Sequence, residues 1–238
     1  MKKSLLYLIV GLMTLMFTGC VKTPNVNFNS QMHKNIKSIA VVPPKNTEEV
    51  NIFYFNHPGM SLGLIGGIAS SAEFSSKTTT YNKLILPTKF NANSYFLSKL
   101  THYLKKEKYN VALLPYDPKR DKEHLKIYPE VNTDAYLDIV LEDVGYIAGS
   151  PSSTYKPTVK VAARLVKKSD KSILYDKHLA IGENFALTQE VDYIGCDTEE
   201  CYKDFDSLKE NALKSVDGLK KALDKVAKRL AVSLKRGK

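Results

Sequence analysis

Five residues, Gly59-Met60-Ser61-Leu62-Gly63, fit the G-x-S-x-G pattern that lifts a nucleophilic serine on a tight strand-to-helix turn. Apolar Ile52 to Phe55 before it and an apolar, glycine-rich stretch after it supply the flanks such a turn needs. Asp138 or Asp143, then His178 as base, would complete the serine, aspartate, histidine order along the chain. Three features count against a hydrolase. Pro58 stands where the strand should feed the turn. The later strands look largely antiparallel, whereas the hydrolase sheet is mostly parallel. About forty residues separate Ser61 from the end of the leader described below, too few for the strands that normally come first. A pentapeptide of this kind also arises often by chance, so the serine hydrolase stands as the alternative expectation.

Other side chains with chemical potential are fewer. Asp138, Glu142 and Asp143 are close on one strand pattern, and paired carboxylates can do acid–base work. The solvated outer face of a sheet explains them more simply. The histidines, His33, His57, His102, His124 and His178, show no helical or strand spacing to one another or to cysteine, so no metal site is expected. Gly63 to Gly67 lacks the Lys-Ser/Thr of a phosphate loop, and no cofactor motif is present. Cys196 and Cys201, with four residues between them, read as a disulfide closing a small loop if the compartment is oxidising. Metal binding is the alternative for that pair, but no histidine lies near it in sequence.

The elements that would position these residues follow from periodicity. A strand is expected over Ile36 to Val42, stopped by Pro43-Pro44, and a short one over Ile52 to Phe55. Leu62 to Ala69 is apolar but rich in glycine, which weakens a helix by up to about 1 kcal/mol per residue relative to alanine. A buried core helix is the default there. A partner- or membrane-facing segment is the other reading, with Leu62, Leu64, Ile65 and Ile68 as its contact residues. Lys89 to Lys106 has an apolar stripe through Phe96, Leu97, Leu100, Tyr103 and Leu104, with Asn91 or Asn93 as cap. Val111 to Leu114 is a strand and Asp117 to Glu123 a charged loop. Ala135 to Ile147, Thr158 to Val166 and Ile173 to Ile181 alternate as an antiparallel meander. Asp204 to Leu234 reads as one long helix, with Gly218 a tolerated weak point and a regular apolar seam. The expected class is α/β: a mixed, largely antiparallel sheet flanked by helices, ending in a long helix.

The first twenty residues decide location. Lys2 and Lys3 precede an apolar run from Leu5 to Phe17, then Thr18-Gly19-Cys20. A basic start, a short apolar core and small residues before a cut site make a secretory signal peptide. The run is too short to span a bilayer, which takes about 20 apolar residues. Thr18-Gly19-Cys20 resembles the lipobox of bacterial lipoproteins, with Phe17 in place of the usual leucine. The resemblance implies cleavage before Cys20 and acylation of that cysteine. Residues 1–19 are then leader, 20–34 a flexible lipidated tether rich in asparagine, and 35–238 a single periplasmic domain. Val21, rather than aspartate, follows the cysteine, which points to the outer membrane.

The formal charge of +10 is concentrated toward the end: Lys203 to Lys238 carries eleven Lys/Arg against five Asp/Glu. A solvated lysine-rich helix face is the default reading, with anionic lipid headgroups the alternative. Nucleic acid is not expected for an exported chain.

The order strand, helix, strand, long strand, hairpin, terminal helix, with Ser38-Ile39-Ala40-Val41-Val42-Pro43 near its start, is similar to a group of bacterial lipoproteins. The group includes the curli-transport lipoprotein, the lipoprotein activators of penicillin-binding proteins and related lipoproteins of unassigned role. Val161-Ala-Ala-Arg164-Leu165-Val166, a polar turn and Ile173-Leu174-Tyr175 carry the local match. The resemblance implies a mixed sheet flanked by helices, no catalytic residues, and binding to other envelope proteins. The leading expectation is a non-enzymatic assembly, accessory or regulatory lipoprotein held at the outer membrane through Cys20, with an envelope protein as partner or with copies of itself. A subunit of an oligomeric secretion or surface apparatus is a further alternative.

Overall fold

The computed structural model describes residues 25–46, 49–58, 63–183, 191–196 and 198–237. Its strands are β1 (Ser38–Val42), β2 (Asn51–Tyr54), β3 (Asn110–Leu113), β4 (Ala135–Ala148), β5 (Lys156–Lys167), β6 (Ile173–Ile181) and β7 (Val191–Ile194). Its α-helices are α1 (Gly63–Ile85), α2 (Ala92–Lys106), α3 (Phe205–Glu210) and α4 (Ala212–Ser233). The strands form one sheet in the order β3-β1-β4-β5-β6-β7. β4 is long enough to pair with β1 along its first residues and with β2 along its last. β4, β5 and β6 make the expected antiparallel meander, while β1 with β3, β1 with β4, β2 with β4 and β6 with β7 run parallel. The sheet is therefore mixed, with its longest pairings antiparallel.

The core lies between one sheet face and the helices. Val159, Val161, Ala163 and Leu165 of β5 face it, beside Leu137, Ile139 and Leu141 of β4 and Tyr175 and Leu179 of β6. This is the period-two pattern of a half-covered strand carried through three strands in register. Opposite them, α2 contributes Phe96, Leu100 and Leu104, and α4 contributes Val216, Leu219, Leu223, Val226 and Leu230. Asn91 caps α2 by accepting from the Ser94 backbone N–H at 2.8 Å, which settles the choice between Asn91 and Asn93.

Four elements differ from expectation. α1 runs well past the glycines, to Ile85, through Ser70-Ser71 and Thr78-Thr79-Thr80. Its inward side is partly polar for a reason: Thr78 Oγ1 accepts from Ile52 N at 3.0 Å, and Asn82 both accepts from Val50 N and donates to Val50 O at 2.9 Å. These side chains satisfy backbone groups along the free edge of β2, where an apolar stripe would leave them unpaired. The long terminal helix is broken at Asn211 (φ −109°, ψ 19°) into α3 and α4. Asp204 starts α3 with a reciprocal capping box to Ser207. β7 was not expected. Finally, residues 25–34 of the expected tether lie on the domain: Val26 exchanges both backbone hydrogen bonds with Asp176, each at 3.0 Å, and Phe28 packs against the core.

Gly218 is not the weak point that helix propensity suggests. A Cβ there would stand 2.5 Å from Tyr146 Oη and 2.9 Å from Glu200 Cβ. Tyr146 cannot easily yield, because its ring is buried and its hydroxyl donates to Ser215 O at 2.9 Å. Propensity alone favours Gly218→Ala by about 1 kcal/mol. The clash opposes it with about 1–3 kcal/mol. We expect Gly218→Ala to lower the urea midpoint; a raised midpoint would show that α4 can lift off Tyr146 without loss.

Candidate functional site on the outer sheet face

The sheet face away from the helices carries the charged residues. Near β1 it is roofed by residues 114–131, with Leu114, Leu125, Tyr128 and Val131 packed on Ala40, Val42 and Tyr136. Under that roof lies Asp138, fully buried. The expectation of a solvated carboxylate is wrong at this position, because a loop read as merely charged folds back as a lid. Arg120 enters from the lid and donates to Asp138 Oδ1, to the Pro43 carbonyl and to the Ile139 carbonyl (2.8 Å). Asp138 Oδ2 accepts from Leu125 N at 2.7 Å and from the Tyr128 hydroxyl at 3.0 Å. His124 Nδ1 stands 3.6 Å away, at ion-pair rather than hydrogen-bond distance. Burial alone would raise the Asp138 carboxyl; His124, Arg120 and the Leu125 amide outweigh it and hold the group below its usual range.

Beyond the lid the face opens into a groove of about 1230 Å³. Val140, Ala162 and Val166 form its floor, and Ile127 and Ile173 stand at its margins. Glu142 and His178 line it together: Glu142 Oε2 meets His178 Nδ1 and Lys160 Nζ, each at 3.2 Å. Burial pushes Glu142 up, but His178 and Lys160 prevail and leave it lowered. A bulge between Leu141 and Asp143 makes this possible, since it inserts Glu142 as an extra residue opposite β5. Arg164 and Asp176 form the adjacent cross-strand pair, with Arg164 Nε 3.0 Å from Asp176 Oδ2. The groove thus has an apolar floor, a cationic rim that includes Lys122, Lys126 and Lys171, and two carboxylates, Glu142 and Glu130, engaged by neighbouring cations. Its volume exceeds that of most small-molecule pockets.

The residues singled out from sequence fall as follows. Cys20, Ser61 and Leu62 lie outside the described residues, as do the side chains of Leu64 and Ile65. Ile68 is 64% exposed, so the buried-helix default fails at that position. His178 engages Glu142 rather than Asp138 or Asp143. Asp143 instead accepts from Asn51 Nδ2 at 3.3 Å, and burial raises its carboxyl. The aspartate–histidine arm of a triad is therefore not assembled by these residues. Moreover, His178 and Asp138 sit on the outer face, while α1, which begins two residues after Ser61, packs on the other. Cys196 and Cys201 are thiols in side-chain contact; burial pushes the Cys201 thiol up and Cys196 draws it back. Among the described residues no group of three or more His, Cys, Asp or Glu is placed to hold a metal ion.

Sequence reasoning missed Arg120, His124 and Tyr128 as parts of this face. A signal was present: Leu125, Ile127, Tyr128 and Val131 interrupt the charges of the loop, as a segment with its own apolar underside would require.

No protein-family model matches the chain, and no curated protein does. Solved structures with a similar chain path include a Xanthomonas campestris protein of the family model DUF330 (12% identity, 88% of this chain and 90% of that one, TM-score 0.44). They also include the PelC dodecamer of Paraburkholderia phytofirmans (12%, 92% and 96%, 0.39) and lipoprotein GNA1162 of Neisseria meningitidis (17%, 65% and 88%, 0.23). At these identities and TM-scores the likenesses assign neither a family nor a function to the chain.

Proposed function

We propose that the chain is an outer-membrane lipoprotein, anchored through Cys20 and facing the periplasm, that works by binding an envelope protein rather than by catalysis. The observation that carries the binding role is the outer-face groove, whose Glu142 is engaged by His178 and Lys160, beside the lid under which Arg120 holds Asp138. The leader and Thr18-Gly19-Cys20 support the location, and two or three acyl chains would make the anchor effectively permanent. An extended segment of the partner lies along Val140 and Ala162, between Ile127 and Ile173. A photo-crosslinking amino acid at Ile127, which is 87% exposed, is expected to capture a defined envelope protein in intact cells. The same probe at Leu86, exposed on the helix side, should not. Equal capture from both positions would end the assignment of the groove.

Two further expectations belong to this reading. Metabolic labelling with a palmitate analogue should be lost in Cys20→Ser, and a fluorophosphonate should leave Ser61 unlabelled. Oxidation in the envelope should join Cys196 to Cys201, so that alkylation of the exported protein labels neither until it is reduced.

A further inference from the structure

On one side the sheet ends at β3, which pairs only with β1, in parallel. Asn110 N donates to Lys37 O and Leu114 N to Val41 O, so residues 110, 112 and 114 turn their amides inward to β1. Val111 and Leu113 turn their N–H and C=O groups outward, and among the described residues none bonds them there. The free edge of β2 is different, since Thr78 and Asn82 of α1 satisfy its amides. β3 also lacks the charges that guard an edge strand. Residues 110–115 include no Lys, Arg, Asp or Glu, Ala112 is exposed, and Leu113 is 54% exposed. Such an edge is a template for another strand.

Both ends of the open stretch are closed, and this decides what fits it. Before it, Tyr109 N is bonded to Leu104 O; after it, Pro115 has no N–H. The edge therefore offers two donors and two acceptors, on residues two apart. A second copy of β3 matches that set. Run antiparallel about a two-fold axis at Ala112, it places Val111 opposite the partner's Leu113, and Leu113 opposite the partner's Val111. Both are hydrogen-bonded pairs, so all eight outward groups of the two copies are used in four bonds. Moving the register by one pair either way sets Leu113 against Tyr109 or Val111 against Pro115, and the match is lost. The side chains agree. Val111 packs on the helix side, where it would meet the partner's Leu113, apolar against apolar. Ala112 lies on the outer face with Leu114, and its small side chain lets the two copies approach.

We propose that β3 is a dimer edge: two copies of this chain join β3 to β3, antiparallel and centred on Ala112, into one continuous sheet. The two-fold axis then stands perpendicular to the sheet, so both outer faces, each with its groove, point the same way. A dimer presents two grooves to one side, and a partner with two matching segments is held more tightly than by either groove alone. The pairing depends neither on lipidation at Cys20 nor on what the groove holds.

Ala112→Cys tests the register. A non-hydrogen-bonded antiparallel pair brings its two Cα atoms to about 4.5 Å, within the span of about 4.4–6.8 Å that a disulfide bridges. Mild oxidation of the full-length variant, in detergent and in intact cells, should give a product of twice the chain's mass, linked through position 112 by mass spectrometry. Asn110→Cys, which would face the partner's Leu114, should stay largely unlinked through position 110. Leu113→Pro separates pairing between copies from folding. Leu113 N points away from β1, so proline there removes no bond inside the sheet. It deletes two of the four bonds between copies, and sedimentation in detergent should show dimerisation weakened by about 30-fold or more. An Ala112→Cys protein that stays unlinked would overturn the proposal even if Leu113→Pro fails to fold. Equal linkage through positions 110 and 112 would overturn it too, as would a folded Leu113→Pro protein that dimerises like the parent. Linkage of Ala112→Cys in cells to a different protein would make β3 a dock for a foreign strand and end the dimer.

Discussion

Arg120→Met is expected to destabilise the domain by about 3–5 kcal/mol, because it leaves the Asp138 carboxylate buried with its main cation removed. Leu125 N, the Tyr128 hydroxyl and His124 at 3.6 Å would remain, but they do not replace a guanidinium that also ties down the Pro43 and Ile139 carbonyls. The double variant Arg120→Met, Asp138→Leu should recover much of the loss, since replacing a buried ion pair by apolar side chains is often close to neutral. The dependence on pH should separate the two. In the parent, the Asp138 carboxyl is lowered on folding, so its contribution is complete above the unfolded value near 3.9 and is lost as pH falls through the folded value. Without Arg120, one of the cations that offset burial is gone and the folded carboxyl moves up. The deficit of Arg120→Met should then shrink as pH is lowered from 7 toward 4. Urea midpoints across that range provide the measurement, and a deficit below about 0.5 kcal/mol at neutral pH would show that the lid is dispensable.

This lid also marks where reading the chain from its residues stops working. β5 and β6 were legible because Val159, Val161, Ala163 and Leu165 recur at every second position, with Lys160 and Arg164 between them, and one covered face is enough to produce that pattern. β4 looked the same, yet its first seven residues are buried on both faces. What covers Asp138 comes from Arg120, eighteen residues earlier in an irregular segment, and no local period reports that contact. The Glu142–His178 pair was hidden for a related reason. It depends on the register of three strands and on a bulge, and a slip of one residue would send Glu142 into the core. α1 was hidden because helix-face hydroxyls and an amide, Thr78 and Asn82, serve β2 in place of an apolar stripe. The break at Asn211 was invisible for the opposite reason: Leu208, Ala212 and Val216 keep the apolar stripe continuous across it.

Gly145→Ala is expected to cost about 3 kcal/mol, at the upper end for overpacking, and to do so by parting β2 from the sheet. Gly145 is the partner of Asn51 where β2 meets β4, and a Cβ there would lie 2.0 Å from the Asn51 carbonyl oxygen and 2.8 Å from its carbon. Both are backbone atoms, so no rotamer change relieves the clash; the strand itself must move. β2 is not free to shift alone. Ile52 is fully buried, and Ile52 N and Val50 N donate to Thr78 and Asn82 of α1. Asn51 Nδ2 donates to Asp143 across the bulge. A displaced β2 therefore pulls on α1 and on the segment beside Glu142. Hydrogen exchange resolves the consequence: faster exchange should appear in Asn51–Tyr54 and along α1, while Thr158 to Val166 of β5, held on both sides by β4 and β6, keeps its protection. Faster exchange spread evenly over all strands would show that β2 is part of one cooperative unit with the meander rather than a flap attached at Gly145. An unchanged midpoint would show that the Asn51 carbonyl can swing aside.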